Sequence, residues 1–180
     1  MIPLWWRWRR ALGRLLGYER ELSAMRQRVL ELSWDDAFGM WTRRAFLQFC
    51  RLMPRGRRAV VFLDLDRMHE LNGRLGFAEV DRRVRAMFAI PFRRSDLVAR
   101  WYSGDEIAIL LDGDPAAAAV KIVQLQRAAA AQGLSFLHAV GEWDVGRQSI
   151  EEVVDEPAAE VMGAKKTAES PGAAPPAAEE

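Results

Sequence analysis

Two short stretches of this 180-residue chain carry the residue types for metal-assisted phosphate chemistry. The first is an apolar run that ends in acids, Phe62-Leu63-Asp64-Leu65-Asp66. A buried strand that delivers a carboxylate at its C-terminal end is a common way to present a ligand to Mg²⁺. The second is Ser103-Gly104-Asp105-Glu106-Ile107. Its small residues let the backbone turn tightly and come close to a phosphate, and two acids follow at once. If the two strands are neighbours, Asp64 and Asp105 converge on one point. Two carboxylates plus substrate phosphates suit Mg²⁺ better than an all-protein cage. Taken alone, the Ser-Gly-Asp-Glu stretch fits a hairpin turn with solvated acids at least as well.

The surrounding pattern alternates helices and strands. Residues 42–53 look helical, and 59–65 form an apolar run fit for a buried strand. Two short helices follow up to Phe88. Strands over 97–101 and 107–111 are separated by a tight turn, and the second acidic stretch lies in it. A helix over 116–131, a strand over 134–140 and a helix over 149–166 complete the series. This order predicts an α/β (α+β) sandwich, with helices packed on a mainly antiparallel sheet. Residues 168–180 are mostly Ala, Pro and Glu and are expected to be disordered.

Half of the residues are hydrophobic, and the formal net charge is +1. That balance gives no reason to expect nucleic acid as a partner. Cys50 is the only cysteine, which excludes internal disulfides and Cys-rich zinc sites. With no apolar leader segment, a cytoplasmic location is expected. Residues 1–32 carry apolar side chains in steps of three and four, from Met1, Leu4, Trp8, Ala11 and Leu15 to Tyr18, Leu22, Met25, Val29 and Leu32. Such a stripe predicts a coiled coil that pairs two copies of the chain. In a parallel pair Arg14 would face Glu19 of the second helix, and Glu21 would face Arg26. Gly13 weakens this helix by about 1 kcal/mol. Trp5, Trp6 and Trp8 alternate with arginines, which also suits contact with a membrane surface. A helix packed along its own domain is the third possibility.

Four motifs in order resemble the GGDEF family of diguanylate cyclases. DDAFGMWTRRAF over residues 35–46 is similar to the family's opening DxLTGLxNRRxF. DLDRMHELNGRLGFAEVD over 64–81 is similar to DxDxFKxINDxxGHxxGD. SGDEI stands where the family has GGDEF, and the MGAK of residues 162–165 matches the YxAK of its last helix. The resemblance covers the region 33–167 and implies a nucleotidyl-cyclase, palm-like domain. It implies that Asp64, Asp105 and the Leu65 carbonyl hold Mg²⁺ or Mn²⁺, and that Glu106 is a second acid beside the metal and the candidate base. Asn72 and Asp81 would read the guanine edge, where a carboxylate can accept from both N1–H and the exocyclic amine. Gly104 and Lys165 would meet the phosphates. His69 takes the position of the family's phosphate-binding lysine. Arg93 and Asp96 fit the RxxD of the family's product-inhibition site. A solvated basic helix end accounts for those two residues equally well.

The implied reaction condenses two GTP into cyclic di-GMP with release of pyrophosphate, and each domain supplies half of the active site. The pairing helix would then raise the concentration of one half-site for the other. The departures thin the phosphate clamp: besides His69, Phe77 replaces the family's His, Val80 replaces a Gly, and Glu169 stands where an Arg would fall. Trp101-Tyr102 is one residue longer than the family's single aromatic. Slow turnover is therefore expected. The alternative is a degenerate module that binds GTP or cyclic di-GMP and signals through its N-terminal helix.

Overall fold

The computed structural model describes residues 4–102 and 104–169. Contacts divide it into two units, residues 1–34 and 35–180. The first is a single helix, α1 (Leu4–Ser33). Tyr18, Leu22, Met25, Val29 and Leu32, all on the expected apolar stripe, are exposed. The side chains of Trp5, Trp6 and Trp8 lie outside what the structure describes. No helix among the described residues is long and apolar enough to cross a membrane.

The second unit is a six-stranded sheet flanked by helices, in the strand order β1-β2-β4-β5-β3-β6. Its strands are β1 (Trp34–Asp35), β2 (Met40–Thr42), β3 (Arg57–Leu65), β4 (Leu97–Arg100), β5 (Glu106–Asp112) and β6 (Phe136–Asp144). Its helices are α2 (Arg43–Arg51), α3 (Met68–Leu75), α4 (Phe77–Met87), α5 (Pro115–Ala131) and α6 (Ile150–Glu169). β3 runs antiparallel to both β5 and β6, β4 is antiparallel to β5, and β2 pairs parallel with β4. The expected α+β sandwich with a mainly antiparallel sheet is what forms.

β3 is buried on both faces, which is why it reads as an unbroken apolar run. Val61, Leu63 and Leu65 pack with Ile107, Ile109, Val80, Val84, Ile122 and Leu125 in one core cluster. Val60 and Phe62 pack with Ala108, Leu110, Phe46, Val154 and Val161 in the other. Side chains alternate along a strand, so the even positions of β3 face α2 and α6, and the odd ones face α4 and α5. Val80, which replaces the family's glycine, is fully buried and absorbed into packing.

Several boundaries differ from the sequence expectation, and three of the differences have a visible cause. The helix expected over 42–53 begins one residue later, because Thr42 ends β2 and then caps α2, accepting from the Ala45 N–H at 3.4 Å. β6 spans 136–144 rather than 134–140, since Gly141 does not end it. A Cβ at Gly141 would lie 3.1 Å from Pro157 Cγ and 3.4 Å from the Val153 carbonyl, so the glycine lets α6 press onto the strand. α6 in turn runs through Glu169, two residues into the segment expected to be disordered; residues 170–180 lie outside the described residues.

Candidate active site

β3 and β5 pair so that Asp64 stands directly opposite Glu106. The Leu65 N–H donates to the Asp105 carbonyl at 3.1 Å, which ties the end of β3 to the hairpin carrying Asp105. The two acidic stretches therefore lie side by side. Asp64 is only 4% exposed although it is charged. Its even position aims it at the α2/α6 face, and α6 supplies a cation there. The Lys165 ammonium donates to Asp64 Oδ1 at 2.5 Å and to Asp105 Oδ2 at 3.3 Å. One positive charge thus sits between two carboxylates, one at the end of β3 and one in the turn before β5.

The electrostatics follow from burial and crowding. Burial raises the Asp64 carboxyl above its ordinary value; the Lys165 hydrogen bond opposes this, and the Asp105 charge adds to it. Glu106 is also raised, first by burial and then by the charges of Asp105 and Asp64. Partial burial works against the Lys165 ammonium. The hydrogen bond and charge of Asp64, with Asp105 behind them, outweigh it and hold that group above its usual value. Three acids share one ammonium, so the corner carries surplus negative charge. Among the described residues no group of three or more His, Cys, Asp or Glu side chains is arranged as a preformed metal cage. What exists is a carboxylate pair already bridged by a cation, the donor set that a divalent ion would use together with ligand oxygens.

Ser103, the first residue of SGDEI, lies outside the described residues. The rest of the hairpin is held from both sides. The Trp101 N–H donates to the Glu106 carbonyl at 2.8 Å, and the Trp101 ring is buried edge-on to Phe46. Tyr102, the extra residue, is turned outward and exposed. Arg100 Nε donates to the Gly104 carbonyl at 2.9 Å, and its Nη1 to Asp35 Oδ2 at 3.1 Å. The same guanidinium lies 4.0 Å over the Phe38 ring. Sequence reasoning missed this strut between the opening motif and the hairpin. The signal available was a charged residue at the end of the strand just before the turn.

Asn72 lies on α3, beside α4 with Asp81. The chain reaches α3 through Arg67, whose φ of 53° is left-handed, and Gly76, at φ 80°, joins the two helices. Asn72 Oδ1 is buried and has no hydrogen-bond partner among the described residues. A buried acceptor left unpaired costs about 1–3 kcal/mol, so it marks a place where a donor is wanted. No partner for the Asp81 carboxylate is found among the described residues. His69 is exposed on the first turn of α3.

Arg93 and Asp96 form a separate turn, engaged within the chain. Asp96 accepts from the N–H groups of Arg93 at 2.8 Å and Asp112 at 3.1 Å, while Arg93 Nη1 donates to the Asp112 carbonyl at 3.0 Å. A cleft of about 290 Å³ opens beside them, with Lys121 and Gln124 on its far wall. Cys50 is buried, and its thiol is pushed up to about 12 by that burial and by Glu151, which removes it as a nucleophile.

Residues 35–145 match the family described as diguanylate cyclase, GGDEF domain. The chain belongs to that family. Among curated proteins it is similar to the cyclic di-GMP phosphodiesterase NbdA of Pseudomonas aeruginosa, 37% identical over 89 residues, covering 44% of this chain and 11% of that protein. The chain thus spans only a small part of that relative. Its fold matches the coiled coil and GGDEF domain of DgcB from Caulobacter crescentus in complex with c-di-GMP. That match has a TM-score of 0.65 at 16% identity, covering 87% of this chain and 95% of that one. It also matches diguanylate cyclase SiaD in complex with its activator SiaC from Pseudomonas aeruginosa. There the TM-score is 0.59 at 24% identity, covering 91% of this chain and 73% of that one. These two likenesses are ones of fold.

Proposed function

We propose that this GGDEF domain is half of a diguanylate cyclase, working slowly as a homodimer joined through residues 1–32. The observation that carries the proposal is the pair Asp64 and Asp105, brought from the end of β3 and the turn before β5 onto one cation with Glu106 alongside. In each half-reaction the 3′-hydroxyl oxygen of one GTP bonds to the α-phosphorus of the other. The α–β phosphoanhydride bond breaks and its electrons leave with pyrophosphate. The hydroxyl proton passes to a base, and Glu106, raised by burial and by its acidic neighbours, is suited to take it. Two such steps give cyclic di-GMP and two pyrophosphates. A divalent ion, Mg²⁺ or Mn²⁺, held by Asp64, Asp105 and the Leu65 carbonyl, supplies charge neutralisation on the phosphates.

The chain's own residues do the rest. Asn72, with its orphaned Oδ1, and Asp81 accept from the guanine edge, whose N1–H and amine adenine does not offer. Gly104 and His69 border the phosphates, and Lys165 contributes charge. The exposed stripe of α1 supports pairing of two chains, which brings two half-sites together; its Trp-rich start suits a membrane surface. Arg93 and Asp96, beside their cleft, are assigned to binding the cyclic product. A module that binds nucleotide without turning it over is the second possibility, favoured by His69 and Glu169, which leave pyrophosphate poorly neutralised.

Incubation with GTP and Mg²⁺, followed by chromatography of the nucleotides, separates the two. Slow cyclic di-GMP synthesis, abolished by Asp105→Ala or Glu106→Ala, is expected. Binding of GTP with neither cyclic di-GMP nor its linear intermediate formed would leave the binding module standing.

A further inference from the structure

We propose that Lys165 is a resident counter-ion that keeps the metal-ligand pair closed until nucleotide phosphates draw its ammonium away, so that a divalent ion enters only with nucleotide. The inference rests on the assignment of Asp64 and Asp105 as metal ligands and concerns how that site opens.

Three observations carry it. The first is position. Nζ of Lys165 lies 2.5 Å from Asp64 Oδ1 and 3.3 Å from Asp105 Oδ2, in the space a shared metal ion needs. Two cations cannot occupy it together, since like charges at contact distance repel strongly in a partly buried corner. The second is dependence. Among the described residues the Asp64 carboxylate makes no other side-chain hydrogen bond, and the side chain is 5% exposed. Without the ammonium it would be a buried, unpaired charge, which is strongly destabilising. The fold thus satisfies Asp64 internally when no metal is present.

The third is freedom to leave. The Lys165 side chain is 28% exposed, and it sits near the C-terminal end of α6 after Gly163 and Ala164, both exposed. A flexible four-carbon stem whose head is partly open to solvent can swing toward a polyphosphate. Such a ligand offers the ammonium more negative charge than the two carboxylates do, and a divalent ion travelling with it takes the vacated place. Metal and nucleotide then bind with positive coupling, which typically amounts to about 5–150-fold in affinity.

Electron paramagnetic resonance of Mn²⁺ reads this directly, since the signal of free aqueous Mn²⁺ falls on binding. The wild-type full chain, Lys165→Gln and Lys165→Gln with Asp64→Asn are titrated with Mn²⁺ alone and with a GTP analogue that has a methylene bridge between its α- and β-phosphates. Wild type should bind Mn²⁺ only with the analogue. Lys165→Gln should bind Mn²⁺ alone at least tenfold more tightly than wild type, and adding Asp64→Asn should remove that gain. If wild type without nucleotide binds as tightly as Lys165→Gln, and adding Asp64→Asn to Lys165→Gln abolishes binding, the acids are the metal site but Lys165 does not guard it. If no form binds Mn²⁺ under any condition, the metal assignment itself falls. The wild-type titration decides against the proposal on its own, should the variant not fold: tight Mn²⁺ binding without nucleotide overturns it.

Discussion

Asp64→Asn should stabilise the metal-free protein while destroying its chemistry. The carboxylate is almost fully buried, and its one ammonium partner is shared with Asp105 and partly exposed. Burial, opposed by Lys165 and reinforced by Asp105, leaves its folded-state pKa raised above the ordinary aspartate value. The folded state therefore holds that proton more tightly than the unfolded chain. Ionising it at neutral pH costs folding energy, about 1.4 kcal/mol for each tenfold gain in proton affinity on folding. Stability should be highest while the group is still protonated, and should fall as pH rises from about 4 until the folded-state pKa is passed. Asparagine keeps the shape and removes the charge. A gain of about 1 kcal/mol is expected, which for a domain of this size is roughly 2–4 °C in melting temperature. Thermal melts by circular dichroism in EDTA, from about pH 4 to 8, measure both effects. The variant's decline with pH should be shallower, with a remainder belonging to Glu106, which is raised in the same direction. A variant that melts below wild type at about pH 7.5 with an unchanged slope would mean the ammonium fully compensates the acid, and the argument from burial would be refuted.

Gly141→Ala should cost about 1–3 kcal/mol in urea unfolding, because its Cβ meets Pro157 and the Val153 carbonyl at overpacked distances; an unchanged midpoint would mean α6 can shift freely. Asp81→Ala should erase any preference for GTP over ATP in calorimetric titration with Mg²⁺, and a preference that persists would remove Asp81 from base reading. Sedimentation should give a dimer for the full chain and a monomer for a chain starting at Ser33. Equal, monomeric masses would exclude α1 as the pairing element.

The parts of the fold legible in the sequence are those whose local pattern and tertiary environment agree. β3 announces itself because both faces are buried, and the acids at its end stand out against that apolar run. β5 and α5 follow for similar reasons of composition. β2 was not legible. Its three residues carry no alternation of their own and become a strand only by pairing with β4. The end of β6 was misplaced because a glycine weakens a strand by itself, yet here the absent side chain is what α6 packs against. Arg100 was missed for a related reason: its role depends on the hairpin carbonyl and Asp35, which are brought together only by the fold.

Strand parity joins these elements to the chemistry. Asp64 shares its face of β3 with Val60 and Phe62, the residues that pack toward α2 and α6. A register shift of one residue would turn Asp64 toward α4 and α5, away from Lys165 and from its partner across the sheet, Glu106. The apolar residues of β3 guard that register, because such a shift would also exchange the two sets of core side chains. The seat of α6 is guarded by Gly141, which lets the helix lie close enough for Lys165 to reach the strand end. The acids can therefore be held close together, and poorly solvated, because the same packing that buries Asp64 also delivers its counter-charge. Packing and electrostatics are coupled at this corner, so a substitution that lifts α6 away from β6 should loosen the acidic pair as well as the core.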